Sequence, residues 1–418
     1  MKFKTLVLTA LTLLASTAQA QPAWTFEQVL QSALASHPAM LGKRSAQDAA
    51  RAERDGAEWQ RYPTFSAEAS TQNRSANTGQ LGGSNAGLRL EQPLWTGGRI
   101  TANIDAAGSR LDAAGAALEE ARLDLSLKVI AAYTEALRQK ARQQHASTGL
   151  QEHEKLLAMI RRRVAQEVSS QTDQRLAEAR MYQAANDQSL ATQGLNNALA
   201  QLSALTGKPV TEISAQGVSE MGAVGKIGEM GVPVGLEATL MQAWDWSPVL
   251  RRLTYEEDAA SAEIASKRSA YMPQLALRLQ RNVGQANDSS VMLVLTAQPG
   301  AGLSARSGVD AAIAKREAAR MAREAAERDV HERVTLDWNE WVAVRLRLAN
   351  ASQSRAMSTE VFESYARQYV IGRKSWIDVL NAVREATQSQ LALEDVNTQV
   401  IAVSLRLRAQ TGTLGVEK

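Results

Sequence analysis

The chain has 418 residues, with 47 lysines and arginines against 44 aspartates and glutamates, four histidines and no cysteine. Lack of cysteine excludes a disulfide framework, thiolate metal centres and a lipid-modified N-terminal cysteine, and the near balance of charge leaves no footprint for nucleic acid. Aromatic residues are only 5% of the chain and alanine is abundant, which suits closely packed helices better than one bulky core.

Residues 1–20 carry Lys2 and Lys4, an apolar run from Leu6 to Ala15, and a small-x-small site at Ala18-Gln19-Ala20. This order of parts is that of a secretory signal peptide, with Gln21 as the first mature residue. The apolar run is shorter than the roughly 20 residues a helix needs to span a bilayer. From residue 26 the chain repeats itself once. Phe26, Pro38 and Pro63 recur as Leu236, Pro248 and Pro273 at a shift of 210, and Gln92-Pro93, Asp105-Ala106-Ala107 and Thr206-Gly207 recur at 298, 310 and 411 with the shift slipped to about 205. A repeat this long implies a duplicated, pseudo-symmetric protomer rather than a solenoid. The expected domains are a first repeat over 21–208, a linker over 209–235 and a second repeat over 236–418.

Each repeat opens with a helix, for which Thr25 or Ser36 can act as cap, broken at Pro38 or Pro248 before another helix. Strands follow at 64–73 and 86–94, where Phe65, Ala67 and Ala69 alternate with Ser66, Glu68 and Ser70, and at 274–282 and 290–298, where Leu275, Leu277 and Leu279 alternate with Gln274, Arg278 and Gln280. Glycine-rich polar loops at 74–84 and 284–289 join each pair. Beyond them, proline-free tracts rich in Ala, Leu, Glu, Gln and Arg predict a long helix over 99–165, a helix over 172–206, and their counterparts over 305–371 and 375–411. At 1.5 Å per residue each long helix is about 100 Å. Leu393, Val396, Val400, Val403 and Leu407, and Leu195, Ala198, Leu202 and Leu205, step by three and four as a coiled-coil seam does.

Strands of about 9 to 11 residues with one apolar and one polar face match tilted membrane strands. Tyr62, Phe65, Trp95 and Tyr271 all fall where strands adjoin helices, as an interfacial girdle would. Four strands cannot close a barrel, so membrane strands here require oligomerisation; two protomers would supply eight and three would supply twelve.

At this point the residues resemble the TolC family of outer-membrane efflux and secretion channels. The likeness rests on Phe26-Glu27-Gln28-Val29-Leu30 with His37-Pro38, on the strand-to-helix junction Gln92-Pro93-Leu94-Trp95-Thr96-Gly97-Gly98-Arg99, and on Tyr369-Val370-Ile371-Gly372 followed by Ile377-Asp378-Val379-Leu380-Asn381-Ala382. It implies a mainly α protomer that contributes four β-strands to a trimeric outer-membrane barrel and long helices to a periplasmic α-helical barrel. The implied partners are outer-membrane lipid, a periplasmic adaptor and an inner-membrane ABC or proton-driven transporter. Asp378 matches a family position that rings the periplasmic entrance, with Asp173 as its counterpart in the first repeat and Asn381 where a second acid can stand. Lys374 matches a basic residue that restrains the closed tip, Gly372 its turn, and Trp376 is a candidate for adaptor contact or for core packing.

Two departures stand out. The second junction, Gln298-Pro299-Gly300-Ala301-Gly302-Leu303-Ser304, lacks the aromatic and the paired glycines of the first, which tilts the expected cargo toward type I protein secretion with drug efflux close behind. The first tip, Val164 to Asp173, lacks the family's glycine, so the two tip turns are expected to differ in shape.

No catalytic constellation is present. His37, His145, His153 and His331 are isolated, and 145 and 153 are eight apart rather than at helical zinc spacing. Gly300-Ala301-Gly302 lacks the third glycine of a nucleotide loop. Neither an enzyme nor a cofactor is expected. Arg161-Arg162-Arg163 reads as a solvated helix face or as a charge complement to the helix C-terminus rather than a binding patch. A structural periplasmic coiled coil would explain the helices but not the strands, and a trimeric membrane-anchored adhesin would not need the duplication.

Overall fold

The computed structural model describes residues 23–72, 83–215, 235–283, 287–298, 300 and 304–414. The signal at 1–20, the start at Gln21, most of the 209–235 linker, much of both strand-joining loops, and Pro299 lie outside the described residues. The elements are α1 (Phe26–Ser36), α2 (Pro38–Trp59), β1 (Thr64–Gln72), β2 (Gly83–Trp95), α3 (Arg99–Ala165) and α4 (Gln171–Thr206), then α5 (Leu236–Trp246), α6 (Pro248–Arg268), β3 (Gln274–Val283), β4 (Asp288–Thr296), α7 (Ser304–Val370) and α8 (Trp376–Gln410). The order helix, helix, strand, strand, long helix, helix thus occurs twice, as the sequence duplication requires.

Local chemistry sets the boundaries. Thr25 and Gln28 form a reciprocal capping box at the start of α1, each accepting from the other's backbone N–H. Ser36 does not cap: its hydroxyl donates to the Ser32 and Thr206 carbonyls, and His37 Nδ1 accepts from Ala39 N–H at 3.2 Å to start α2 ahead of Pro38. Ser247 does the same service before Pro248, accepting from Leu250 N–H at 3.4 Å.

The four strands form one antiparallel sheet in the order β1-β2-β3-β4. Register places Phe65, Leu90, Leu279 and Val291 abreast on one face and Ser66, Arg89, Gln280 and Ser290 on the other. Arg278 and Glu91 pair across the polar face at 2.8 Å. Leu277 and Arg278 therefore point to opposite faces, as the alternation predicts.

The two 67-residue helices α3 and α7 reach far beyond the sheet. Among the described residues, no helix is long and apolar enough to cross a membrane. α3 packs against α2, α4, α6 and α8, and α7 against α5, α6 and α8. The largest buried cluster gathers α1, the middle of α3 and the ends of α4 and α8 around Tyr133. The Tyr133 hydroxyl donates to the Trp24 and Ser214 carbonyls at 3.1 and 2.6 Å, clamping the Trp24 to Ile213 bridge; burial raises its pKa. The predicted seam is seen in the burial of Val400, Val403 and Leu407 and of Ala198 and Leu202, with Trp338 and Trp341 covering Val403 and Leu407.

Candidate functional site at the helical tips and the membrane collar

The turn from α3 to α4 and the turn from α7 to α8 lie at the ends of the long helices farthest from the sheet. Each restarts its helix on a Ser-x-x-Asp capping box. Ser170 Oγ accepts from Asp173 N–H at 3.1 Å while Asp173 Oδ2 accepts from Ser170 N–H at 3.2 Å. In the second tip, Asp378 Oδ2 accepts from Ser375 N–H at 3.2 Å and from the Ser375 hydroxyl at 2.8 Å. These bonds, first the hydroxyl, then the backbone N–H, with nearby Lys374 adding to them, hold the Asp378 carboxyl below its ordinary pKa. A carboxylate there also faces the positive end of the helix dipole.

The expected difference in turn shape is not found. Glu167 takes left-handed backbone (φ 58°) where the second tip has Gly372 (φ 77°). Glu167 and Val168 N–H donate to the Val164 and Arg163 carbonyls at 3.0 and 2.9 Å, and Gly372 and Arg373 donate to Tyr369 and Gln368 at 3.0 and 2.9 Å. The two turns are the same motif, because backbone hydrogen bonds that satisfy the helix's last carbonyls outweigh the roughly 1–2 kcal/mol cost of a left-handed non-glycine residue.

Trp376 is 5% exposed, packed 5.4 Å from the Tyr369 ring among Val379, Leu156 and Ile160. It is core and presents no surface to an adaptor. Nor is the arginine run a uniformly solvated face: Arg161 pairs with Glu178 at 2.8 Å, and the Arg163 guanidinium lies 4.8 Å over the Tyr369 ring. Lys374 Nζ stands 4.2 Å over the Tyr365 ring. The exposed apolar side chains at the tips are instead Val168, Val370, Ile371 and Ile377, and Asn381 is exposed one turn beyond Asp378. Arg163 and Tyr369 escape sequence reading because their contact joins the two repeats. The only local hint is an aromatic on each side of the turn.

At the sheet end, Gln92 Nε2 donates to the Arg61 and Pro93 carbonyls at 2.9 and 2.8 Å, fastening β2 to the end of α2. Gly97 and Gly98 both have positive φ, and a Cβ on Gly97 would come 2.5 Å from Met272 Cβ, so this corner admits no larger residue. Gln298 is exposed after β4 and Gly300 is left-handed. Tyr62, Phe65, Trp95 and Tyr271 are all exposed, joined by Trp59, 68% exposed and 5.1 Å from Tyr62, which the sequence reading missed because it lies on α2. Among the described residues no group of His, Asp or Glu could hold a metal ion.

The family model for outer membrane efflux proteins matches residues 29–208 and 240–413. The chain is 28% identical over 310 residues to the nickel-cobalt-cadmium resistance protein NccC of Alcaligenes xylosoxydans xylosoxydans, covering 73% of this chain and 67% of that protein. Its fold superposes on the transmembrane channel CusC with TM-score 0.81 at 17% identity, covering 92% of this chain and 91% of that one. It superposes on the open-state MtrE outer membrane channel of Neisseria gonorrhoeae with TM-score 0.79 at 19% identity, covering 93% and 89%. With each repeat matched by the family and the fold of these channels shared along the chain, the chain belongs to the outer membrane efflux protein family.

Proposed function

We propose that three copies close a twelve-stranded barrel continuous with a helical duct, forming the exit component of a tripartite export assembly. The observation that carries this reading is one four-stranded sheet, apolar on one face and open at β1 and β4, built on the same chain as two helical hairpins about 100 Å long. An open edge in lipid leaves backbone groups unpaired, and single-chain barrels begin at eight strands, so partner copies are needed. A periplasmic adaptor would meet the apolar tip residues Val168, Val370, Ile371 and Ile377, and an ABC or proton-driven transporter would supply the energy.

Small-solute efflux is the favoured cargo class, because the relative NccC is named for resistance to nickel, cobalt and cadmium. The lean toward protein secretion rests on the junction at 298–304 alone, and Pro299 and 301–303 lie outside the described residues.

Three copies bring Asp173 and Asp378 together as up to six carboxylates at the tip, where converging like charges bind multivalent cations. The capping bonds support this role, since they hold the Asp378 carboxyl below its ordinary pKa. In planar bilayers, Asp378→Ala with Asp173→Ala is expected to abolish block by di- or trivalent cations applied from the periplasmic side while leaving conductance. Unchanged block in the double variant, or no conductance from the parent, would overturn the reading.

A further inference from the structure

Behind the second tip, a recess of about 620 Å³ lies between α3, α4 and α8. Its floor is a single stripe of α3: Arg142, Ala146, Gly149 and His153 recur every three or four residues, while Gln144, Thr148, Gln151 and Lys155 on the other side of the helix are exposed. α4 contributes Arg180, Asp187 and Leu190 to one wall, and α8 contributes Leu380, Arg384 and Leu391 to the other. Asn381, one turn from Asp378, marks the end nearest the tip.

Gly194 sits inside α4, where glycine costs about 1 kcal/mol relative to alanine. A Cβ there would come 2.6 Å from Oε1 at the flexible end of Gln139, which also lines the recess. Burial first and Arg180 second lower the His153 pKa below the ordinary histidine value, with Asp187 and Glu152 opposing.

Charge decides what fits. Asp395 binds Arg142 through two contacts, at 3.2 and 2.7 Å, and neutralises it. Among the described residues Arg180 donates only to Gln183 Oε1, at 3.0 Å, and Arg384, exposed at the rim, has no hydrogen-bond or ion-pair partner. Against these two guanidiniums the lining offers one acid, Asp187. The volume falls in the range of small-molecule sites, roughly 300–1,000 Å³, and is far too small for a folded chain. Paired guanidinium forks suit a carboxylate or sulfonate, the leucines and alanines suit an apolar body, and a free divalent cation meets net repulsion.

We propose that this recess is a binding station for small organic anions, an apolar body bearing a carboxylate or sulfonate, with Arg180 and Arg384 as the anion contacts. The inference rests on the efflux reading for its sense, in that the recess lies beside the tip where solutes would enter. Its test needs no transport, so either idea can fail alone.

The test is fluorine NMR on the detergent-solubilised full-length protein, using para-(trifluoromethyl)benzoate as probe with the isosteric amide and amidine as controls. Benzoate is expected to bind, the neutral amide and cationic amidine at least about tenfold more weakly. Arg384→Gln and Arg180→Gln should each weaken benzoate about tenfold, Arg384→Lys less. Equal binding of benzoate and amide, or benzoate binding undiminished in the double Gln variant, would overturn the proposal. Loss of conductance in the parent would count against the channel reading and leave the binding result standing.

Discussion

The two helical tips make one turn from different residues. Both end a long helix on left-handed backbone and restart on a Ser-x-x-Asp box, yet the left-handed residue is Glu167 in one and Gly372 in the other. Where the second tip buries Tyr369 and Trp376, the first has Val164 and exposed Gln171 at the same places. The turn itself is therefore decided by backbone hydrogen bonds and a side-chain cap. The aromatic pair serves a separate end: through Arg163 it fastens the start of α8 to the end of α3, tying one repeat to the other. Duplication has kept the geometry that presents an acid at each tip and let the packing beneath it diverge.

The largest effect should separate the packing. Trp376→Ala removes a buried aromatic and should cost about 3–5 kcal/mol, while Gln171→Ala at the equivalent position should stay within about 0.5 kcal/mol. Hydrogen exchange of the first turns of α4 and α8 reads both, and similar protection losses in the two variants would dissolve the contrast.

Backbone strain should give effects of opposite sign. Gly372→Ala forces a side chain into left-handed backbone and should cost more than about 1 kcal/mol, whereas Glu167→Gly should stabilise its tip by about 1 kcal/mol. Thermal unfolding of the two variants checks this. If Glu167→Gly destabilised the protein, Glu167 would be held by something beyond the turn.

The caps should show the tips alike. Ser170→Ala and Ser375→Ala should each cost about 1 kcal/mol. The pH dependence follows from Asp378, whose folded pKa lies below its unfolded value, so its contribution is full above about pH 4 and is lost as pH falls through the depressed folded value. Removing the Ser375 hydroxyl should raise the Asp378 pKa toward the ordinary value and begin that loss at higher pH. Carboxyl chemical shifts followed through an acid titration test it, and an unmoved Asp378 would place the cause elsewhere than Ser375.

Much of this was legible from the chain alone. The long helix over 99–165 appears with those bounds, since a proline-free tract of strong helix formers has no competing local structure. β2 runs from Gly83 rather than 86, because pairing with β1 carries the ladder beyond the residues whose alternation marks a strand. Trp376 could not be placed from sequence: an aromatic beside a tip turn reads equally as surface or core until Leu156, Ile160 and Tyr369 arrive from other helices. Glu167 was hidden for another reason, since glutamate is seldom found with positive φ and carries no turn signal.

By itself the sequence determined the period of each element, its helical or extended character, the alternation that separates Leu277 from Arg278, and the duplication that orders the whole. These depend on neighbours along the chain, where propensity, capping and side-chain period act over a few residues. Only the tertiary structure decided that the tips share one turn, that Arg163 reaches Tyr369 from the other repeat, and that Arg180 and Arg384 face one recess from different helices. Those are meetings between residues far apart in sequence, set by how the helices pack, and no local pattern records them.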